Sequence, residues 1–130
     1  MRNGFGVGIS ADMEVTVTPD MFASFNGELV HPVYSTVSMV YHMEWVSRQT
    51  ILSHLKDHEE GMGGAVAIKH VAPCMEGDII KFTATVTSYR KDTVITKVRA
   101  ECQGTLVGHG EVKQVILRKD KIASFIDRKN

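Results

Sequence analysis

Alternation of apolar and polar side chains dominates the second half of the chain. Within residues 78–89 every second side chain from Ile80 to Val86 is apolar, and threonines or a lysine occupy the positions between them. A period of two is typical of a strand with one buried face. The same pattern predicts strands over residues 64–72, 93–102 and 105–118. Short connections between them favour an antiparallel sheet, because hairpins join antiparallel neighbours.

A helical period precedes these strands. Between residues 35 and 58 apolar side chains recur every three or four positions, which predicts one long α-helix. Ser35 or Thr36 is expected to cap its first turn, and Gly61 is expected to stop it. Apolar residues surround the first half of this segment, so the pattern predicts a helix that is buried on most sides.

One long helix and about five strands restrict the architecture. The strands carry polar residues outward, so the other face of the sheet must be buried, and the helix is the element that can cover it. We therefore predict an α+β hotdog fold, an antiparallel β-sheet wrapped around one long central helix. Residues 13–18 predict a further strand, residues 26–32 a loop, and residues 120–130 a terminal turn or frayed helix. Residues 1–130 contain no repeat or linker and are expected to form a single domain.

Composition and charge disfavour several classes of function. The 15 basic and 15 acidic side chains give zero net charge, so no general field attracts nucleic acid or an anionic membrane. No apolar run approaches the roughly 18 residues of a membrane span, and residues 1–10 do not resemble a signal peptide. Cys74 and Cys102 could form one disulfide, but two scattered thiols favour a reducing, cytoplasmic compartment. The histidines form no metal-ligand motif, and His54 and His58 are expected to be solvated.

Glu44 is the first candidate for chemistry. It is the sole charged residue between positions 35 and 47, and its helical neighbours are mostly apolar. A carboxylate on such a face needs a partner, a proton or a catalytic role. We expect it to be mostly buried. An ordinary ion pair with Arg48, one helical turn away, is the alternative, and the pattern taken alone favours it.

Thr36 and His70 are the other two candidates. Thr36 precedes Glu44 by eight residues, which is about 12 Å along a straight helix, and its hydroxyl would serve equally as an N-cap. His70 shares a strand face with Val66 and Ile68 that should meet the helix. An imidazole at the end of a buried strand can act as a base near neutral pH. A hydrogen-bonded core histidine is the alternative.

Taken together, residues 33–45 and 63–72 resemble the fluoroacetyl-CoA thioesterase-like branch of the hotdog thioesterases. That family carries a threonine at the helix start, then a glutamate within a Met-Glu-Trp sequence, then a histidine in the following strand. Thr36, Glu44 and His70 reproduce both spacings, of 8 and 26 residues. The resemblance therefore implies that these three residues are catalytic, without dividing the roles among them.

The resemblance extends over residues 15–117 and implies acyl-CoA thioesterase activity on a short-chain substrate. Gly63 and Gly64 would let the pantetheine arm approach the backbone closely, and Val30 is a further expected substrate contact. Coenzyme A enters as part of the substrate, and no other cofactor and no metal is expected. The family's usual assembly implies a homodimer or a dimer of dimers, with the threonine and the histidine near a subunit boundary.

Two departures limit what is carried over from the family. Its last strand often reads Gly-x-Gly-x-His-x-Arg, whereas residues 108–114 here lack that histidine and arginine. Residues 25–30, before the helix, are poor in aromatics, so selectivity for fluoroacetate is not expected. A non-catalytic acyl-CoA-binding module of the same fold is the alternative function. An enoyl-CoA hydratase is disfavoured, because His31 and Pro32 are not followed by the aspartate that its motif contains.

Overall fold

The computed structural model describes residues 1–128, which form seven strands and two α-helices. The strands are β1 (Ser10–Thr16), β2 (Phe22–Phe25), β3 (Glu28–Tyr34), β4 (Glu59–His70), β5 (Ile79–Arg90), β6 (Thr93–Cys102) and β7 (Thr105–Arg118). The helices are α1 (Thr36–Leu52) and α2 (Lys119–Asp127). No helix within residues 1–128 is long and apolar enough to cross a membrane.

Five strands form one antiparallel sheet in the order β1-β5-β6-β7-β4. The predicted alternation is confirmed, because β6 and β7 have the predicted bounds and β5 differs by one residue at each end. The inward side chains of β5 are fully buried against the helix: Ile80, Phe82, Ala84 and Val86. The sheet wraps around α1, as the predicted hotdog fold requires.

β4 is an edge strand of this sheet and contains a bulge at Gly64. Its register against β7 shifts between Gly63 and Ala65, so the side-chain alternation changes phase there. Gly63 faces α1 before the bulge, and Val66 and Ile68 face α1 beyond it. Without that shift, the two halves of the strand would present these residues to opposite faces of the sheet.

The long helix is shorter than predicted, and the following strand is longer. α1 ends at Leu52 instead of residue 58, and Gly61, the predicted stop, lies inside β4. Residues 53–58 form polar turns that reverse the chain. β4 begins at Glu59, five residues before the predicted start, because its pairing with β7 extends that far.

α1 is buried on one side and exposed on the other. Its buried apolar residues include Met39, Met43, Val46 and Ile51. On the other side the side chains of Val37, Tyr41 and Trp45, which we call the exposed stripe, are accessible by 69%, 60% and 47%. The prediction of a helix buried on most sides is therefore wrong for the single chain. These apolar residues lie on a face that the chain's own sheet does not reach.

A hairpin replaces the loop predicted over residues 26–32. β2 and β3 pair antiparallel, and Asn26 and Gly27 form their turn with φ angles of 53° and 80°. Pro32 lies within β3. The hairpin consists of two strands, so one edge of β3 is not paired with another strand. A proline, which has no backbone N–H, is tolerated at such an edge. The hairpin delivers the chain to Ser35 at the start of α1.

The first strand joins the sheet, and a short helix follows the last strand. β1 pairs with β5 along its whole length and begins three residues before the predicted strand. The N-terminal amine donates a hydrogen bond to Glu59 Oε2 at 2.8 Å. The terminal segment predicted as a turn or frayed helix forms α2. Residues 129–130 of that prediction lie outside the described residues.

Candidate active site

The first residue of α1 and the last residue of β4 meet at one end of the sheet. Thr36 Oγ1 lies 3.0 Å from His70 Nδ1. Ser35 is the N-cap, since its side-chain oxygen accepts the backbone N–H of Ser38 at 3.0 Å. Capping therefore does not occupy the Thr36 hydroxyl, and the alternative of Thr36 as the cap is wrong. A hydroxyl and an imidazole at this distance can exchange a proton.

His70 is half-buried beside Thr36, and part of its hydrogen-bonding capacity is unused. Within residues 1–128 its Nε2 is buried and has no hydrogen-bond partner, whereas its Nδ1 contacts Thr36. The ring of Tyr34 packs edge-on at a centroid distance of 6.1 Å. Burial lowers the pKa of His70, against an opposing effect of the Ala72 backbone. The ring is therefore neutral at pH 7 and can accept a proton.

A buried tyrosine–histidine pair supports this end of the site. Tyr34 Oη lies 2.6 Å from His42 Nδ1, and the two rings stack at 5.8 Å. Burial raises the pKa of Tyr34 and lowers the pKa of His42, so both groups are neutral. The hydrogen bond fixes the Tyr34 ring that contacts His70. Neither residue was predicted as part of the site; the available signal was a tyrosine directly before the N-cap.

Glu44 lies on the exposed side of α1. Within residues 1–128 its carboxylate takes part in no ion pair. Arg48 instead contacts Glu60 Oε1 at 2.8 Å and the Gly61 carbonyl oxygen at 3.3 Å. The alternative of a Glu44–Arg48 pair is therefore wrong. The predicted burial of Glu44 is also wrong for the single chain, because two of the neighbours that suggested it, Val37 and Tyr41, belong to the exposed stripe.

The Glu44 carboxylate borders a cavity of about 340 Å³ between α1 and β4. The cavity is lined by Tyr41, Glu44, Trp45, Arg48, Gly61, Gly63, Val112 and Gln114. A Cβ atom on Gly63 would lie 3.7 Å from Glu44 Oε2, so the glycine leaves room beside the carboxylate. Gly64 lies at the bulge, and Val30 is exposed on β3. Neither lines this cavity, and their substrate contacts stay predictions.

Gln114 forms a polar wall of this cavity and was not predicted as a site residue. Its side chain is buried, and its Nε2 donates to the Ser47 carbonyl oxygen at 3.1 Å. The Ser47 hydroxyl in turn accepts a hydrogen bond from Thr96 at 2.7 Å. This buried network fixes the Gln114 amide at the cavity. The available signal was a polar residue on the inward face of β7, between Val112 and Ile116.

The single chain brings together two of the three predicted catalytic residues. Thr36 and His70 are in contact, whereas Glu44 lies further along α1, about 12 Å from Thr36 along the helix axis. No group of three or more histidine, cysteine, aspartate or glutamate side chains in the described part of the chain is arranged to hold a metal ion. The three predicted residues supply a hydroxyl, an imidazole and a carboxylate.

Comparison with known proteins identifies the family and the fold of the chain. The family model of the fluoroacetyl-CoA-specific thioesterase matches residues 17–120. A Thermus thermophilus hypothetical protein, a thioesterase superfamily member, has 36% identity, covers 97% of this chain and 93% of its own, and gives a TM-score of 0.93. The fluoroacetyl-CoA thioesterase FlK has 22% identity over 98% of this chain and 99% of its own, with a TM-score of 0.88. A hot-dog-like protein from Thermanaerovibrio acidaminovorans has 19% identity over 96% and 93%, with a TM-score of 0.89.

The fold and the comparisons define the protein as a hotdog thioester hydrolase that acts on acyl-CoA. The matching family model extends over most of the chain, and the chain belongs to the fluoroacetyl-CoA-specific thioesterase family. The predicted fold, family resemblance and activity are confirmed. No curated protein sequence matches the chain. Variants of FlK have been solved with acetyl-CoA, and with fluoroacetate and CoA.

Proposed function

We propose that the protein hydrolyses short-chain acyl-CoA thioesters with Thr36, His70 and Glu44. The 3.0 Å contact between Thr36 Oγ1 and His70 Nδ1 is the observation that carries this proposal. A neutral imidazole with its proton on Nε2 accepts at Nδ1, so the threonine hydroxyl can donate to it. His70 then takes a proton as Thr36, or a water molecule that it holds, attacks the thioester carbonyl carbon.

The remaining steps use the same groups. Attack places a negative charge on the carbonyl oxygen, which backbone N–H groups in the first turn of α1 would stabilise. The carbon–sulfur bond then breaks as the carbonyl re-forms, and the CoA thiolate takes the proton from His70. If Thr36 is the nucleophile, a water molecule hydrolyses the acyl ester in a second round with His70 as the base. Glu44 would orient or deprotonate the attacking water.

We assign Glu44 to this site through a homodimer, or a dimer of dimers built from it. β4 is an edge strand, so its outer side pairs with no other strand of residues 1–128. Tyr41 and Trp45 of the exposed stripe line the cavity beside that strand. A long edge strand next to an exposed apolar surface is what a symmetric interface covers.

The bulge in β4 makes such a dimer suitable for catalysis. Antiparallel pairing of two β4 strands about an axis at Ala67, with Gly64 left out of the pairing as the bulged residue of each strand, would set Gly63 opposite His70 of the partner subunit. The bulge turns both residues to the helix side of the sheet. Glu44, whose carboxylate lies beside Gly63, would then approach the threonine–histidine pair of the other subunit.

The size of the cavity supports a short acyl group. A volume of about 340 Å³ is near the lower end of the range for ligand pockets, roughly 300–1,000 Å³. Gly64 and Val30 remain proposed contacts of the pantetheine arm and the substrate.

We also propose a cytoplasmic location. Cys74 and Cys102 are free thiols, and burial raises the pKa of Cys74 to about 11, which keeps that thiol protonated and unreactive.

Thiol release from acyl-CoAs of increasing chain length tests the activity. The wild type should hydrolyse short acyl-CoAs, and Thr36→Ala and His70→Ala should each lose at least about 100-fold in kcat. His58→Ala removes an exposed histidine in the turn after α1 and serves as the control. Tight binding of acyl-CoA without any thiol release by the wild type would identify the non-catalytic binding module instead.

Hybrid dimers test whether the site is shared between subunits. Glu44→Gln chains retain the threonine–histidine pair, and His70→Ala chains retain the glutamate. After subunit exchange in an equal mixture, one of the two sites in each hybrid dimer is intact, so activity should recover to about a quarter of wild type. A site contained in one chain would give no recovery.

A further inference from the structure

The outer face of the sheet, turned away from α1, carries a cleft larger than the Glu44 cavity. Its volume is about 620 Å³, and it extends over β4, β7 and β6. Its charged and titratable lining residues are Lys69, Lys97, Arg99, His109 and Glu111. Lys69 precedes His70 on β4, so the cleft and the threonine–histidine pair lie on opposite faces of the sheet. Nothing in the proposed hydrolysis uses this cleft.

Basic side chains face one another across the cleft in one row. Lys69 is directly opposite His109, and His109 is directly opposite Arg99. Neighbouring strands are about 4.8 Å apart, so the backbones at Lys69 and Arg99 are about 10 Å apart, with His109 between them. In the next row Lys97 is opposite Glu111. The cleft therefore contains three permanent cations and a single carboxylate.

The acidic groups nearby neutralise this cluster incompletely. Arg99 Nε contacts Glu101 at 3.2 Å, on the exposed edge of the cleft. Within residues 1–128 neither Lys69 nor Lys97 forms an ion pair. The row that contains Lys81 differs, because an acidic residue lies opposite that lysine on each side. The charge balance therefore differs between rows of the outer face, and positive charge is in excess in the cleft.

We propose that this cleft binds the phosphate groups of a nucleotide. Arginine presents planar paired donors that fit phosphate oxygens, and lysine adds a mobile point charge. A volume of about 620 Å³ is more than a lone phosphate needs and lies within the usual range for small-molecule sites. A second copy of the chain is a poor occupant, because the same cations would face each other across a two-fold axis.

Calorimetric titration with ADP tests the site without relying on thioesterase activity. The wild type should bind ADP, and binding should weaken as salt is added. The double variant Lys97→Gln and Arg99→Gln should bind at least about tenfold more weakly. Lys81→Gln with Lys121→Gln removes the same charge outside the cleft and should leave binding unchanged.

Two outcomes would overturn the proposal. One is ADP binding that is absent from the wild type or equal in all three proteins. The other is an oligomeric state that changes in the cleft variant, by light scattering, while ADP binding does not. Kinetics then distinguish two sources of the nucleotide. If the cleft variant has a raised KM for acetyl-CoA but not for acetylpantetheine, the cleft binds the nucleotide of the substrate. This interpretation rests on the proposed function. Unchanged KM values with lost ADP binding identify a free nucleotide.

Discussion

Thr36 and His70 are expected to act as one unit, and a double-mutant cycle measures this. Their contact is a single hydrogen bond at an exposed end of the sheet, so its loss should cost about 0.5–1.5 kcal/mol of stability or less. Loss of a positioned base should instead lower kcat by about 10²–10⁴. The two effects are far apart: the first shifts a melting temperature by a few degrees, and the second removes almost all turnover.

The cycle compares Thr36→Ala, His70→Ala and the double variant by thiol release and by melting curves. Residues that act as a unit are non-additive, so the double variant should lose no more than about tenfold beyond the worse single variant. Thr36→Ser keeps the hydroxyl and should retain more activity than Thr36→Ala. Losses that multiply in the double variant would refute the coupling, and wild-type turnover in Thr36→Ala would remove the threonine from the mechanism.

Three further predictions follow from contacts and pKa shifts. Glu44→Gln should nearly abolish thiol release yet change stability by less than about 0.5 kcal/mol, because the carboxylate has no ion-pair partner among the described residues; wild-type turnover would exclude Glu44. The pKa values of His70 and His42 are both lowered by burial, so below about pH 6.5 the unfolded chain binds more protons than the folded one. This contribution to stability should therefore be fully present above that pH and should be lost as the pH falls through the lowered pKa values. The kcat/KM should fall as His70 becomes protonated. Urea midpoints measure the first effect and pH–rate profiles the second, and no change with pH in either would contradict the pKa shifts. Gly110→Ala sets a Cβ against a backbone carbonyl oxygen of β4 and should cost about 1–3 kcal/mol, whereas Gly6→Ala meets nothing within 4 Å and should be neutral by the same urea assay.

The strands were predictable because the sequence of each strand reflects which of its side chains are buried. Ile80, Phe82 and Ala84 alternate with polar residues, and one buried face is enough to produce that pattern. The end of α1 was not predictable in the same way. Apolar and polar residues continue at helical spacing beyond Leu52, but the chain leaves the helix there and enters β4 at Glu59, which pairs with Arg118 of β7. The local sequence does not contain this long-range pairing.

Glu44 shows what local patterns omit about the site. Its apolar neighbours predicted burial, but Tyr41 and Trp45 face away from the core. The sequence does not distinguish an apolar side chain at a subunit interface from one in a core, because both are removed from solvent. The contact between Thr36 and His70 could not be predicted from the sequence either. It requires the end of β4 to reach the start of α1, which only the folded chain fixes.

The bulge at Gly64 links these observations. In an uninterrupted strand the side chains at positions 63 and 70 would point to opposite faces. The inserted residue turns Gly63 toward Glu44 while His70 stays turned toward Thr36. On one face of this edge strand, Gly63 leaves room beside the Glu44 carboxylate, and His70 places its imidazole against the Thr36 hydroxyl. Antiparallel pairing of two such edges would complete each site, which accounts for an unpaired glutamate beside apolar surface on an otherwise well-packed helix.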